Sequence, residues 1–211
     1  MTARFLHEGI YRGIQAMDRI RNVSAALCGT GAVGSNLSLN LARQGVASFI
    51  LIDHDRVEPH NLGTQIWSEV EVGLLKVECL RNRLFDELGL EAAIRSKKLT
   101  AQNADKLLQG ATLIVDSFDN SASRQVVKEY ALRNGIACLH VGLNGNYAEV
   151  IWNEIYRVPS DAGQDVCDYP LARNLILLAV AVASECLVRY ICDQEQKSYT
   201  ITLGDFAVRE L

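Results

Sequence analysis

The stretch Val23-Ser-Ala-Ala-Leu-Cys28-Gly29-Thr-Gly31-Ala-Val-Gly34 decides how this chain reads. Val23–Cys28 is a short apolar run that stops at glycine, the signature of a buried strand. The helical pattern Val33–Gln44 follows. Between them lies G-x-G-x-x-G. Its first glycine permits a tight turn, its second lets the backbone approach a phosphate, and its third lets helix pack on strand. The N-terminus of the helix then offers unpaired N–H groups and a positive dipole end to an anion. The next apolar run, Ser48–Asp53, ends in an acid 24 positions after Gly29. A carboxylate there accepts hydrogen bonds from ribose hydroxyls and repels a 2′-phosphate. ATP, AMP and NAD all meet that requirement, so the turn alone leaves adenylation and hydride transfer both open.

Outward from the turn, strands and helices alternate. Helix signals run over Gly73–Leu88, a strand over Ala93–Lys97, a short helix over Asn103–Leu108 and a strand over Thr112–Ser117. Asn120–Asn134 reads as a helix with an asparagine cap and Gly135 as its stop. Ile136–Gly142 is apolar again, and Tyr147–Tyr156 alternates as an antiparallel strand does. A long apolar segment, 171–192, is interrupted by Arg173, Glu185 and Arg189. Its uncharged core is too short to span a bilayer, so it reads as a buried helix. Tyr199–Leu203 reads as a closing edge strand. These elements predict an α/β fold: a doubly wound, mostly parallel, Rossmann-like sheet with antiparallel strands in the C-terminal third. The expectation is one domain over residues 1–211, with residues 1–22 as an N-terminal arm.

Composition narrows the function classes. The 211 residues are 49% hydrophobic and 22% charged with a net charge of −4. That excludes disorder, collagen-like repeats and coiled coil. A nucleic-acid partner is disfavoured for want of basic excess, and no membrane partner is expected. The six cysteines, at 28, 79, 138, 167, 186 and 192, form no C-x2-C pair. With no signal-like N-terminus, they predict a reduced, cytoplasmic protein. Cys28, Cys79, Cys138, Cys186 and Cys192 sit in apolar patterns as packing residues. His140 reads as a core histidine, while His54 and His60 flank the polar loop after Asp53.

Three further features end where phosphates would lie. They are Asp53-His-Asp55-Arg-Val57-Glu-Pro-His-Asn61-Leu62-Gly-Thr-Gln65, Gly73-Leu-Leu-Lys76, and Asp116-Ser-Phe-Asp119-Asn120 with Arg124 beyond. Strand C-termini of a doubly wound sheet converge on one crevice. In this order and spacing the motifs resemble the ThiF/MoeB group of ubiquitin-activating-enzyme-like adenylyltransferases, from about Val23 to Arg189. The resemblance implies ATP and Mg²⁺ as cofactors. A ubiquitin-like or sulfur-carrier protein would present a C-terminal glycine carboxylate for adenylation. Gly29, Gly31 and Gly34 would cradle phosphate, and Asp53 would hold ribose. Asp55, Asn61, Gln65 and Asn120 would line the nucleotide site, Lys76 would neutralise phosphate charge, and Asp119 would carry Mg²⁺.

The sequence departs from that family at several points. Thr64 stands where the family usually has arginine, removing a positive fork that threonine cannot replace. A second arginine, often supplied by the N-terminus of a partner subunit, is assigned to Arg12 in preference to Arg4, which implies a homodimer. The zinc-binding cysteine pairs of many relatives are missing, so no zinc is expected. Cys167 stands at the position of a reactive cysteine in some relatives, for a later thioester or persulfide step. Two other readings stay open: a non-catalytic nucleotide-binding scaffold of a heteromeric complex, and an NAD-dependent oxidoreductase.

Overall fold

The computed structural model describes residues 3–160 and 170–211. The glycine turn folds as the motif requires. Strand β1 (Ser24–Cys28) runs into the turn and helix α3 (Ala32–Gln44) leaves it. Helix α3 returns the chain to β2 (Ser48–Ile52), which pairs parallel to β1. Helix α4 (Lys76–Leu88) leads to β3 (Ala93–Arg95), which extends that side of the sheet. The chain then crosses through the short α5 (Ala104–Leu107) to β4 (Leu113–Asp116), on the opposite side of β1. Helix α6 (Ser121–Asn134) carries it to β5 (Cys138–Asn144), the last parallel strand.

From there the sheet turns antiparallel through β6 (Tyr147–Trp152), β7 (Tyr199–Thr202) and β8 (Ala207–Glu210). The full order is β3-β2-β1-β4-β5-β6-β7-β8. The expected doubly wound sheet with a late antiparallel extension is therefore what forms. One expectation at its rim is corrected: the strand at Tyr199 is not the edge, because β8 pairs outside it. Ala207–Glu210 carries one apolar alternation beside Asp205 and Gly204, too little pattern to announce a strand.

Strand periodicity divides the interior. In β1, Ala25 and Leu27 face a cluster built with α3, α4 and α7 (Arg173–Asp193), whereas Ala26 and Cys28 face a second cluster built with α5 and α6. Helix α7 is long and apolar enough to cross a membrane by length and composition. It nevertheless lies along α3, with Leu175, Ala179, Ala183 and Leu187 wholly buried and Asn40 donating to Ser184 at 2.8 Å. The N-terminal arm is itself helical, as α1 (Leu6–Arg12) and α2 (Ile14–Arg21). Met17 and Ile20 of α2 are buried in the first cluster.

The tightest backbone contact lies where α3 begins. A Cβ at Gly34 would fall 2.0 Å from the Gly29 carbonyl oxygen and 2.9 Å from Ser117 Oγ. No side chain fits without moving backbone, so Gly34→Ala is expected to lower stability by about 1–3 kcal/mol, as overpacking does. Urea denaturation checks this, and an unchanged midpoint would contradict the packing role.

Candidate active site

The glycine turn sits at the topological switch point, between β1 and β4, where the sheet reverses its winding. Gly29 has φ +91°, which favours glycine, and its N–H donates to Ile52 O at 2.9 Å. Ser117, just past β4, donates through its backbone N–H to Cys28 O and through its hydroxyl to Gly29 O, at 2.9 and 3.0 Å. The turn is thus held from both neighbouring strands. Gly31 is different in kind. Its φ is −76° and the nearest atom to a Cβ placed there would be Gln65 Nε2, at 3.9 Å. Its ψ of −143° lies outside the regions that residues with a side chain ordinarily take, but no close protein neighbour requires glycine at this position. What the missing side chain leaves is open space over the N-terminus of α3, the cradle a phosphate needs.

Asp53 is buried, at 5% exposure, and accepts from Thr30 N (2.7 Å), Thr30 Oγ1 (3.0 Å) and Asp55 N (2.9 Å). An ionised carboxylate offers about four acceptor sites, so ribose hydroxyls would meet a group already tying the turn to β2. The same loop brings Asp55 to Lys76, with Nζ 3.4 Å from Oδ2. Lys76 opens α4 and is only 7% exposed, so it is no solvated surface lysine. One ligand atom from each of Asp53, His54 and Asp55 lies within 4.8 Å of the others, a donor set of the hard type that divalent cations take.

Asn61 and Gln65 are buried and shape their loop. Asn61 Oδ1 accepts from Glu58 N at 3.0 Å. Gln65 Oε1 accepts from the Trp67 indole at 2.5 Å, which leaves its Nε2 facing Gly31. Asn36, inside α3, donates to Thr64 O at 3.2 Å, fastening the loop across the start of the helix.

Asn120 caps α6, accepting from Ser123 N at 2.9 Å, while the neighbouring Asp119 is exposed and receives a 3.4 Å contact from Asn120 Nδ2. Arg12 lies elsewhere. Its guanidinium pairs with Glu8 at 2.6 Å and Glu185 at 2.8 Å within its own chain, and these bonds raise its pKa against the cost of burial. Arg4 donates to the Leu88 carbonyl at the C-terminal end of α4. Cys167 lies outside the described residues. Cys28, Cys79, Cys138 and Cys186 are buried, and burial pushes each thiol up, Cys186 to about 12.

Sequence reasoning missed a buried polar network directly behind the site. Asp116, at the end of β4, is fully buried. Its Oδ2 lies 2.8 Å from His140 Nδ1 and 3.7 Å from Arg124 Nη1, and its Oδ1 accepts from Phe118 N at 3.2 Å. Arg124 also donates to Tyr156 Oη (3.0 Å) and Val141 O (2.9 Å). Tyr156 stacks on His140 at 3.7 Å, and burial raises its phenol to about 12. Asn153 Oδ1 completes the shell, 2.6 Å from His140 Nε2. His140 is the satisfied core histidine its apolar strand predicted. The only sequence signal for its partners was Asp116 and Arg124 bracketing Asp119.

The network fixes the chain on either side of Asp119: Asp116 holds Phe118, and Arg124 pins the first turn of α6. Arg124→Met would leave the buried Asp116 without its guanidinium, a change that costs about 3–5 kcal/mol in such pairs. Chemical denaturation checks this, and a loss below about 1 kcal/mol would contradict it.

Known proteins place this geometry. Residues 6–188 match the ThiF family. The sulfur carrier protein ThiS adenylyltransferase of Bacillus subtilis is 30% identical over 158 residues, which cover 70% of this chain and 46% of that protein. The adenylyltransferase and sulfurtransferase MOCS3 of Aedes aegypti is 33% identical over 120 residues, 56% of this chain and 27% of that one. The chain thus spans less than half the length of these relatives. Among solved structures, E. coli MccB with MccA-N7isoASN superposes with a TM-score of 0.85 at 19% identity, over 99% of this chain and 71% of that one. MccB with ATP gives 0.83 at 20% identity. At such identity these structures share the fold. The motif order, the switch-point turn and the match over most of its length together make this chain a member of the ThiF family.

Proposed function

We propose that this chain is an ATP-dependent adenylating domain that activates the C-terminal carboxylate of a partner polypeptide, a ubiquitin-like protein, sulfur carrier or short peptide. The observation that carries the reading is Gly31, where no close protein neighbour fills the space beside the backbone, at the mouth of α3. The ThiS adenylyltransferase of B. subtilis and the MccB–ATP structure support the chemistry by likeness.

In this reading the triphosphate lies over the amides that open α3, and the adenosine ribose meets Asp53. The partner's carboxylate oxygen attacks the α-phosphorus, the bond from that phosphorus to the β-phosphate oxygen breaks, and pyrophosphate leaves with its electron pair. Such a transfer depends on positioning and charge neutralisation more than on a base. Lys76 supplies positive charge, exchanging its 3.4 Å contact with Asp55 for phosphate. Asp119 would bind Mg²⁺, which neutralises phosphate charge. Cys167 is reserved for a later thiol step, the protein works as a homodimer, and its compartment is the cytoplasm.

Calorimetric titration tests the reading. ATP with Mg²⁺ should bind and NAD⁺ should not. Lys76→Ala should weaken ATP by at least about tenfold, the scale of a lost charge-assisted hydrogen bond. Asp119→Ala should remove the Mg²⁺ dependence while leaving the fold intact. Cys167→Ala should leave adenylation untouched and abolish only downstream transfer. NAD⁺ binding with ATP silent would overturn the adenylation reading. Silence from both would leave a scaffold subunit, the reading that Thr64 supports.

A further inference from the structure

We infer that Arg173, the first residue of α7, is a phosphate-contacting residue of this site, supplying the guanidinium that the loop lacks at Thr64. The inference rests on the nucleotide-binding reading above.

Its position comes first. Arg173 Nη1 lies 3.5 Å from the backbone oxygen of Gln65. Gln65 is the residue whose side-chain amide faces the Gly31 cradle, and the neighbouring Thr64 carbonyl is fastened to α3 by Asn36. The guanidinium therefore reaches the rim of the phosphate cradle from a helix 108 residues further along the chain.

Availability is the second observation. Lys76 is engaged by Asp55 and Arg124 by Asp116, and Arg56, in the loop after Asp53, is held by a 2.7 Å bond to the Gly73 carbonyl. Among the described residues Arg173 has no carboxylate partner, and its one contact is a long bond to a neutral carbonyl. Releasing a 3.5 Å bond to a neutral acceptor costs little, whereas freeing Arg12 would break two charged pairs.

Charge balance is the third. A nucleotide triphosphate brings several negative charges to a turn whose backbone offers only partial positive charge. Lys76 is one compensating cation. An arginine adds a planar fork that binds two phosphate oxygens at once, which a threonine at 64 cannot do. A group at this rim acts on the β- and γ-phosphates, which leave together as pyrophosphate, while the α-phosphate stays on the adenylate.

That division supplies the test. Wild type, Arg173→Ala and Arg173→Lys would be titrated with ATP plus Mg²⁺ and, separately, with AMP. Arg173→Ala should lose about tenfold or more in ATP affinity and change little for AMP, with Arg173→Lys in between. Thr64→Arg should raise ATP affinity more in the Arg173→Ala background than in the wild type, a non-additivity that a merely structural role for Arg173 would not give. Unchanged ATP affinity in Arg173→Ala, or an equal loss for ATP and AMP, would overturn the assignment alone. A wild-type chain that binds neither nucleotide would overturn the adenylation reading and this assignment with it.

Discussion

Helix α3 can begin only where it does because two glycines let its first turn press onto the end of β1. Gly34 closes to the Gly29 carbonyl at a distance no side chain tolerates. Two further elements are drawn in by that contact. Asp53 reaches from β2 to the Thr30 amide and hydroxyl, and Ser117 reaches from β4 to the Gly29 carbonyl. Three strands and one helix are therefore joined at a single turn. The joining leaves the α3 amides facing outward over Gly31. The packing at Gly34 and the proposed anion site at Gly31 thus arise from the same few atoms but separate by position.

Behind that surface the molecule keeps charge inside. Asp116, Arg124, His140, Tyr156 and Asn153 hydrogen-bond to and pack on one another. Buried charge of this kind gives little net stability, but removal of one member is costly. Its members come from β4, α6, β5 and the segment after β6, so it joins the parallel half of the sheet to its antiparallel extension. The loop bearing Asp119 is strung between two of these anchors.

Local pattern accounts for what was legible in the sequence. The strand, turn and helix around residues 23–44 follow from apolar runs and glycine spacing over a few residues, and the cap at Asn120 and stop at Gly135 do likewise. Features built by tertiary contact were not legible. The N-terminal arm carries Ile10, Ile14 and Met17 at helical spacing, but where it docks is set by tertiary contact: Met17 and Ile20 are buried where α7 lies beside α2. Strand β8 exists because β7 offers an edge to pair with, not because its own residues demand it. Thr64 reads as a lost arginine until α7 brings Arg173 to Gln65, a proximity no local pattern encodes.

The central claim is that the open space over Gly31 is a triphosphate site. A crystal structure of the protein with a non-hydrolysable ATP analogue and Mg²⁺ tests it most directly. Phosphate oxygens are expected against the backbone amides that open α3, with ribose at Asp53 and Lys76 turned from Asp55 onto phosphate. An analogue bound elsewhere, or a cradle that stays empty at saturating analogue, would contradict it.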